Sequence, residues 1–403
     1  MPATDAPPHR GSAAEVFTAF LRLGLMSFGG PLAHVAYFRH EFVMRRRWLD
    51  EAAFAQLLTL CQALPGPTSS QLGFALGQQR AGWRGALSAF AGFTLPSAAL
   101  MFALALHVPM LLGSLSGTAV LHGLKLLAVV VVAQGVGGMA RQLLPDSKHW
   151  LVAATAAAIV LVGHGIAWQL LAIGVGALAG LGLAAAPAPS RPSSRRVPAR
   201  AAWSCGLLFL LGLGLSALSG ARPSPANLAG AAWRAGALVF GGGHVVLPLL
   251  EAPFVGQGWM SGERFLAGYG AAQAMPGPMF SIGAYLGASV LGVAPWLGAT
   301  VTLLCLFAPG LLLVAAALPF WQTWLARPRW AGVAAGVNAA AVGLLAAALC
   351  GVLLPQAVRG PIDAAIVVVG LVLVLPLRAH ALWAVAWCVL AAFAAALCRT
   401  GPG

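Results

Sequence analysis

Apolar residues run through this chain in blocks long enough to cross a lipid bilayer, and polar residues are confined to short breaks between them. A bilayer core of about 30 Å needs about 20 apolar residues in a helix, and stretches at 85–106, 112–134, 169–186, 202–219, 297–318, 332–354 and 379–397 meet or approach that length. Two shorter ones, at 151–163 and 362–376, can cross with some bilayer adjustment. Four further runs are about half as long. Residues 54–64 and 68–79 flank Pro65-Gly66-Pro67, and 265–275 and 279–290 flank Pro276-Gly277-Pro278. Pro-Gly-Pro cannot continue an α-helix, so these pairs predict broken or re-entrant helices, which a membrane accepts only where protein or a cavity satisfies the freed backbone.

The two Pro-Gly-Pro motifs belong to a longer series. Phe28-Gly29-Gly30 recurs as Phe240-Gly241-Gly242, and Gln62 through Pro67 recurs as Gln273 through Pro278, at separations of 212 and 211. Trp48 matches Trp259, Phe54 matches Phe265, Gly85 matches Gly298, Pro96 matches Pro309 and Gly123 matches Gly336, all at 211 to 213. Arg22 falls on Arg234, and Lys125 falls on Asn338. The expected organisation is a tail at 1–12, a first repeat at 13–186, a Pro/Ser/Arg-rich linker at 187–201, a connecting helix at 202–227 and a second repeat at 228–398. The fold class is an all-α polytopic membrane protein.

Composition agrees with that reading. The 403 residues are 60% hydrophobic and 8% charged, against roughly 25% charged in soluble domains. The net charge of +14 raises the question of nucleic acid, but no basic run is interleaved with aromatics as such a binder would show. Short cytoplasmic loops are enriched in Lys and Arg. If the broken pairs return to the side they entered from and the N-terminus is cytoplasmic, 16 of the 23 Lys and Arg fall on the cytoplasmic side. The loop between the first two motifs holds Arg39, Arg45, Arg46 and Arg47, whereas its counterpart holds only Arg264. The halves are therefore expected to have inverted topology, a construction common in secondary transporters; an old duplication serving only packing is the other reading. No secretory signal is expected at the N-terminus. The six cysteines are scattered singly and read as buried thiols, without a disulfide or zinc pattern.

With these residues in view, the sequence resembles the chromate ion transporter family in its long, two-domain form. The likeness rests on Arg22-Leu23-Gly24 through Phe28-Gly29-Gly30-Pro31, Leu64-Pro65-Gly66-Pro67, Gly82-Trp83-Arg84-Gly85 with Phe93 to Pro96, and the second-half copies. The resemblance implies a bacterial inner-membrane protein that exports chromate, driven by membrane potential or an ion gradient, with sulfate as a look-alike. The second half departs from the first where Pro31 becomes Gly243 and Lys125 becomes Asn338. Other readings are an oxyanion uptake permease and, from a different class, a membrane enzyme acting on lipid-linked phosphates. No cofactor or metal is expected, because no His/Asp/Glu cluster has metal or hydrolase spacing and no phosphate loop is present. Partners beyond the anion are the bilayer and a second copy in a homodimer.

Chromate and sulfate are tetrahedral dianions, so a site must supply fixed donors and positive charge. Arg22 and Arg234 lie in apolar surroundings, where a cation costs about 2.5 to 3.5 kcal/mol on insertion scales, and a guanidinium presents a fork of donors to two oxygens; snorkelling is the alternative. Gly29, Gly30, Gly241 and Gly242 allow close backbone approach, and helices starting after them or after Pro65, Gly66, Pro67 and Pro276, Gly277, Pro278 would aim N–H groups at an anion. Thr68, Ser69, Ser70 and Ser281 can donate to substrate or cap a helix. Gln62 and Gln273 need polar partners in their half-helices, and Lys125 with Asn338 completes the candidate set. His34 is expected at a loop or interface, and His122 is isolated in the sequence. A cysteine placed at Gly82 is expected to be shielded from an impermeant thiol reagent in intact cells while one at Gln257 reacts; labelling at position 82 would overturn the cytoplasmic placement.

Overall fold

The computed structural model describes residues 11–28, 30–112, 115–163, 166–183, 199–239, 246–320, 328–375 and 381–400. Among the described residues every regular element is helical. The first half comprises α1 (Ala13–Met26), α2 (Gly30–Phe38) with a π-helical continuation Arg39–Arg45, α3 (Glu51–Ala63), α4 (Thr68–Leu112), α5 (Leu115–Leu143), α6 (Ser147–Val162) and α7 (Ile166–Gly180). After α8 (Ala199–Ser216) come α9 (Pro225–Leu238), α10 (Val246–Phe254), α11 (Gly262–Ala274), a 3-10 turn Met279–Ser281, α12 (Ile282–Ser289) and α13 (Pro295–Ala317). The chain ends with α14 (Pro328–Ala348), α15 (Leu354–Ala357), α16 (Pro361–Val374) and α17 (Ala381–Thr400). The helices coincide with the apolar runs, including the half-length ones beside each Pro-Gly-Pro. Residues 187–198 of the expected linker lie outside the described residues.

Among the described residues four helices, Thr68–His107, Gly117–Leu143, Pro295–Ala317 and Arg329–Ala357, are long and apolar enough to cross a membrane. The first is not one straight rod. Gly82 has φ 67, and Gly77 and Gly85, which eight residues of straight helix would separate by about 12 Å, have their backbones in direct contact. Thr68–Arg80 and the crossing segment after Gly82 therefore form a helical hairpin. Gly292, φ 85, makes the same turn between α12 and α13, where Gly287 and Gly298 touch. Only residues without a side chain permit helices to approach this closely.

The caps follow from local chemistry. Ser12 and Ser224 accept from the N–H groups of Glu15 and Asn227 to start α1 and α9, and Asp50 and Ser261 do the same for α3 and α11. Each such cap contributes roughly 1 kcal/mol.

At one end of the first half, Arg80 pairs with Glu15 at 3.1 Å and lies over the Trp48 ring at 5.3 Å, while its carbonyl accepts the Gly11 N–H. The start of α1, the residues after α2 and the end of Thr68–Arg80 are thus gathered together, so α1–α2 is a hairpin and the chain after the first Pro-Gly-Pro returns to the end it left. A cluster of Phe20, Phe38, Phe42 and Phe93, with Phe20 stacked on Phe42 and Phe38 edge-on to Phe93, fills the space between. In the second half Trp259 Nε1–H donates to the Ala221 carbonyl at 2.6 Å and Tyr285 Oη–H to the Arg264 carbonyl at 2.8 Å.

The two Pro-Gly-Pro breaks meet the opposite halves. The Gly66 N–H donates to the Val239 carbonyl at 2.6 Å, and the Gly277 N–H donates to the Ser27 carbonyl at 2.9 Å. Gly66 and Gly277 have φ 130 and 94, conformations that glycine adopts without strain. A Cβ on Gly277 would lie 3.0 Å from Ser97 Oγ and 3.2 Å from the Phe93 carbonyl.

Two predictions follow from these contacts. Gly277→Ala should cost at least about 1 to 2 kcal/mol from the left-handed φ alone, read as a lower melting temperature in detergent; an unchanged melt would show that the break can be rebuilt. The second concerns Glu41, in the polar stretch after α2. Burial pushes its carboxyl up, but hydrogen bonds from Arg46 and Arg45, at 2.6 and 2.9 Å, outweigh this and hold it below its ordinary 4.5. Its stabilisation is full above that value and is lost as pH falls through the lower folded one. Between about pH 5 and 3 the melting temperature should fall more in the wild type than in Glu41→Gln, and parallel curves would argue against the ion pairs.

Candidate functional site

Both Pro-Gly-Pro breaks end one half-helix and begin another. The first turn of a helix has N–H groups without intrahelical partners, and its dipole places roughly +0.5 charge there. The N-terminus of α4 and that of the 3-10 turn leading into α12 both open beside a break. Thr68, Ser69 and Ser70 are buried at the first and Ser281 at the second. The hydroxyls of Ser70 and Ser281, which match across the two halves, are buried without a hydrogen-bond partner, as are those of Ser27 and Thr94. A buried polar group left unpaired costs about 1 to 3 kcal/mol. Four such hydroxyls within about a helical turn of the two breaks or of their contacts amount to a set of unused donors.

Ser27 ends α1 at the tip of the first hairpin. Its carbonyl receives the Gly277 N–H and lies 3.1 Å from His34 Nε2, while His34 Nδ1 lies 3.4 Å from Ser69 Oγ. A carbonyl only accepts, so Nε2 carries the hydrogen and the Ser69 hydroxyl donates to Nδ1. His34 is 1% exposed, with its ring edge-on to Phe93 at 5.2 Å. This corrects the expectation of a loop or interfacial histidine: α2 turns inward from the hairpin tip, which the spacing of His34 from Phe28 did not reveal.

Gln71 was not among the predicted site residues. Its Nε2 donates to the carbonyls of Pro65 at 2.8 Å and Gly310 at 3.0 Å, tying the first break to α13, and its Oε1 is buried without a partner. The signal was present as one more polar residue after Thr68-Ser69-Ser70. Of the predicted glutamines, Gln273 Nε2 reaches Met279 Sδ across the second break at 2.6 Å. The backbone carbonyl of Gln62 lies 3.5 Å from Asn338 Nδ2.

The predicted cations are arranged differently. Arg22 is exposed on α1, and Arg234 donates from Nη1 to the Ser216 carbonyl at the end of α8. Lys125 is 4% exposed and donates to Glu263 at 3.3 Å. The structure thus groups Thr68, Ser69, Ser70 and Ser281 with the breaks and gives Arg234 and Lys125 partners elsewhere. Gly29, Gly241 and Gly242 lie outside the described residues; Gly30, φ 75, opens α2. Cys61, Cys205 and Cys388 are buried thiols, while Cys350 and Cys398 are exposed.

Comparison with known proteins identifies the family of the chain. The chromate transporter family matches residues 14–181 and 226–396. The chain is 30% identical over 302 residues to a chromate transport protein of Pseudomonas aeruginosa, covering 70% of this chain and 68% of that one. It is 29% identical over 345 residues to a probable chromate transport protein of Synechococcus elongatus, covering 84% of each. A chromate transport protein of Cupriavidus metallidurans is 27% identical over 366 residues, covering 85% of this chain and 86% of the other. No solved structure matches. With paired motifs matched across both halves and apolar helices that fit a multi-pass inner-membrane protein, this chain belongs to the chromate transporter family and is a transporter, not an enzyme.

Proposed function

We propose that this protein is a secondary transporter that exports chromate by alternating access, binding the dianion where the two Pro-Gly-Pro breaks meet the opposite halves. The observation that carries this reading is the pairing of two helix N-termini with the buried, unpartnered hydroxyls of Ser70 and Ser281. Relatives named chromate transport proteins supply the substrate. A tetrahedral dianion must exchange its hydration shell for donors. Backbone N–H groups and serine hydroxyls provide them without a fixed full charge that would hold the anion too tightly for release.

Inverted halves fit the contacts. In the first half the hairpins open from the Arg80 end, and the crossing segment of α4 carries the chain away from it. Early in α5 Lys125 then meets Glu263, in the first turn of α11, so the second set of half-helices starts from the far end. Arg22 and Arg234 belong in this scheme as cations on the approach to the breaks. Export follows from the interior-negative potential, worth about 2.3 kcal/mol per charge per 100 mV, which expels a dianion. Sulfate has the same charge and shape and is the natural competitor.

The test is chromate uptake into inside-out vesicles, energised and not, with sulfate as competitor. Energised uptake is expected. The Ser70→Ala/Ser281→Ala double variant should bind chromate about tenfold or more weakly, at about 1.5 to 3 kcal/mol per lost bond to a charged group. Unchanged uptake in the double variant would remove the site from the breaks. Absence of uptake by the wild type would remove chromate export.

A further inference from the structure

Five ionisable residues from three separate segments of the chain meet where α11 and α16 pack on α5. His122 Nε2 lies 3.0 Å from Asp363 Oδ1, and Asp363 Oδ2 accepts the backbone N–H of Arg359 at 2.9 Å. One turn along α5, Lys125 donates to Glu263 Oε1 at 3.3 Å, and the same oxygen accepts from Arg359 Nη2 at 2.5 Å. Asp363 is 2% exposed. Two cations and two carboxylates balance, leaving the imidazole as the group that sets the net charge.

Packing alone does not call for this cluster. Glu263 and Arg359 are more than half exposed at its rim, but Lys125 and Asp363 are buried in apolar helices, where ionisable residues are costly and mark function by default. At the repeat spacing the other half places Ala335 where His122 stands, Asn338 for Lys125 and Leu151 for Asp363. The same scaffold therefore forms without these charges. An ionised carboxylate only accepts, so His122 Nε2 carries its hydrogen. His122 Nδ1 is buried and has no hydrogen-bond partner. It is the one ring atom left to take a proton.

The geometry points to His122 and Asp363 as the proton-binding site that couples this transporter to a proton gradient, with His122 Nδ1 taking the proton and Asp363 holding the imidazolium. This rests on the transport reading above and names its coupling ion. Protonation changes the cluster from neutral to +1 beside Lys125 and Arg359, which weakens the hold of Lys125 on Glu263. Glu263 sits in the first turn of α11, and α11 runs about 15 Å from there to Gln273 and the second Pro-Gly-Pro, whose Gly277 N–H binds Ser27. Gly270 of α11 lies directly on the Leu124 carbonyl beside Lys125, so a shift of α5 against α11 is passed to the break. The charged groups on the elements packed here are Lys125 and Arg141 on α5, Glu263 and Arg264 on α11, and Arg359 and Asp363 at α16. Of the neighbours, α17 carries Arg399 only in its last turn, α14 carries Arg329 only in its first, and α4 carries Arg80 and Arg84 at its hairpin end.

The test uses the full chain in proteoliposomes holding a pH-sensitive dye. A chromate gradient across wild-type vesicles should move protons. His122→Gln and Asp363→Asn should each cut that proton flux about tenfold or more, while exchange of labelled chromate at equal pH on both sides stays within about twofold. Retained exchange shows that the variants fold and keep the anion site. Wild-type proton flux in both variants would overturn the proposal. So would chromate movement by the wild type without proton flux, or loss of exchange together with flux in both variants, which would make the pair structural. Wild-type vesicles that neither move nor exchange chromate would overturn the transport reading itself, and the coupling with it.

Discussion

A chain that breaks its helices inside a membrane must find partners for the backbone groups it frees. Here the partners come from the other half. The N–H of Gly66 goes to Val239 and that of Gly277 goes to Ser27, so each Pro-Gly-Pro is completed by the end of the half-helix that opens the opposite half. Neither break is self-sufficient in lipid, where an unsatisfied peptide group costs several kcal/mol. The exchange joins the two halves at both breaks and explains why glycine stands at both positions: each has a left-handed φ and a neighbouring backbone within van der Waals reach.

Around that exchange the molecule combines close backbone packing with buried aromatic side chains such as Phe20, Phe38 and Phe93. The hairpins turn at Gly82 and Gly292 and close through glycine pairs. Lipid gives no hydrophobic drive for helices to associate, so close contact and hydrogen bonding must supply it. The polar residues that remain inside are correspondingly few. Among the described residues they include two groups, the hydroxyls with His34 and Gln71 near the breaks and the charged cluster between α5, α11 and α16.

The halves match in frame and differ in chemistry. Caps recur at Ser12 and Ser224 and at Asp50 and Ser261, and a hydroxyl follows each break at Ser70 and Ser281. Gln71, by contrast, belongs to the first half alone: Ile282 stands at the position matching it. A duplicated scaffold with unlike side chains can give the two ends of the molecule different tasks.

The helices, their breaks and the duplication were legible from sequence because they depend on local properties: run length against bilayer thickness, the inability of proline to continue a helix, and a spacing of 211 to 213 that recurs across motifs. The same logic located Thr68, Ser69, Ser70 and Ser281, since hydroxyls after a break lie at a helix start wherever the helix goes. It could not place side chains whose partners are distant in the chain. Arg22 and Arg234 looked equivalent by spacing, yet one is exposed and the other is bound to the end of α8. His34 looked peripheral and is buried. His122 and Asp363, 241 residues apart, carry no common motif. Local sequence sets where a helix begins and ends, but which charges face one another is decided by how the helices pack, and that depends on contacts between the halves that no single segment encodes.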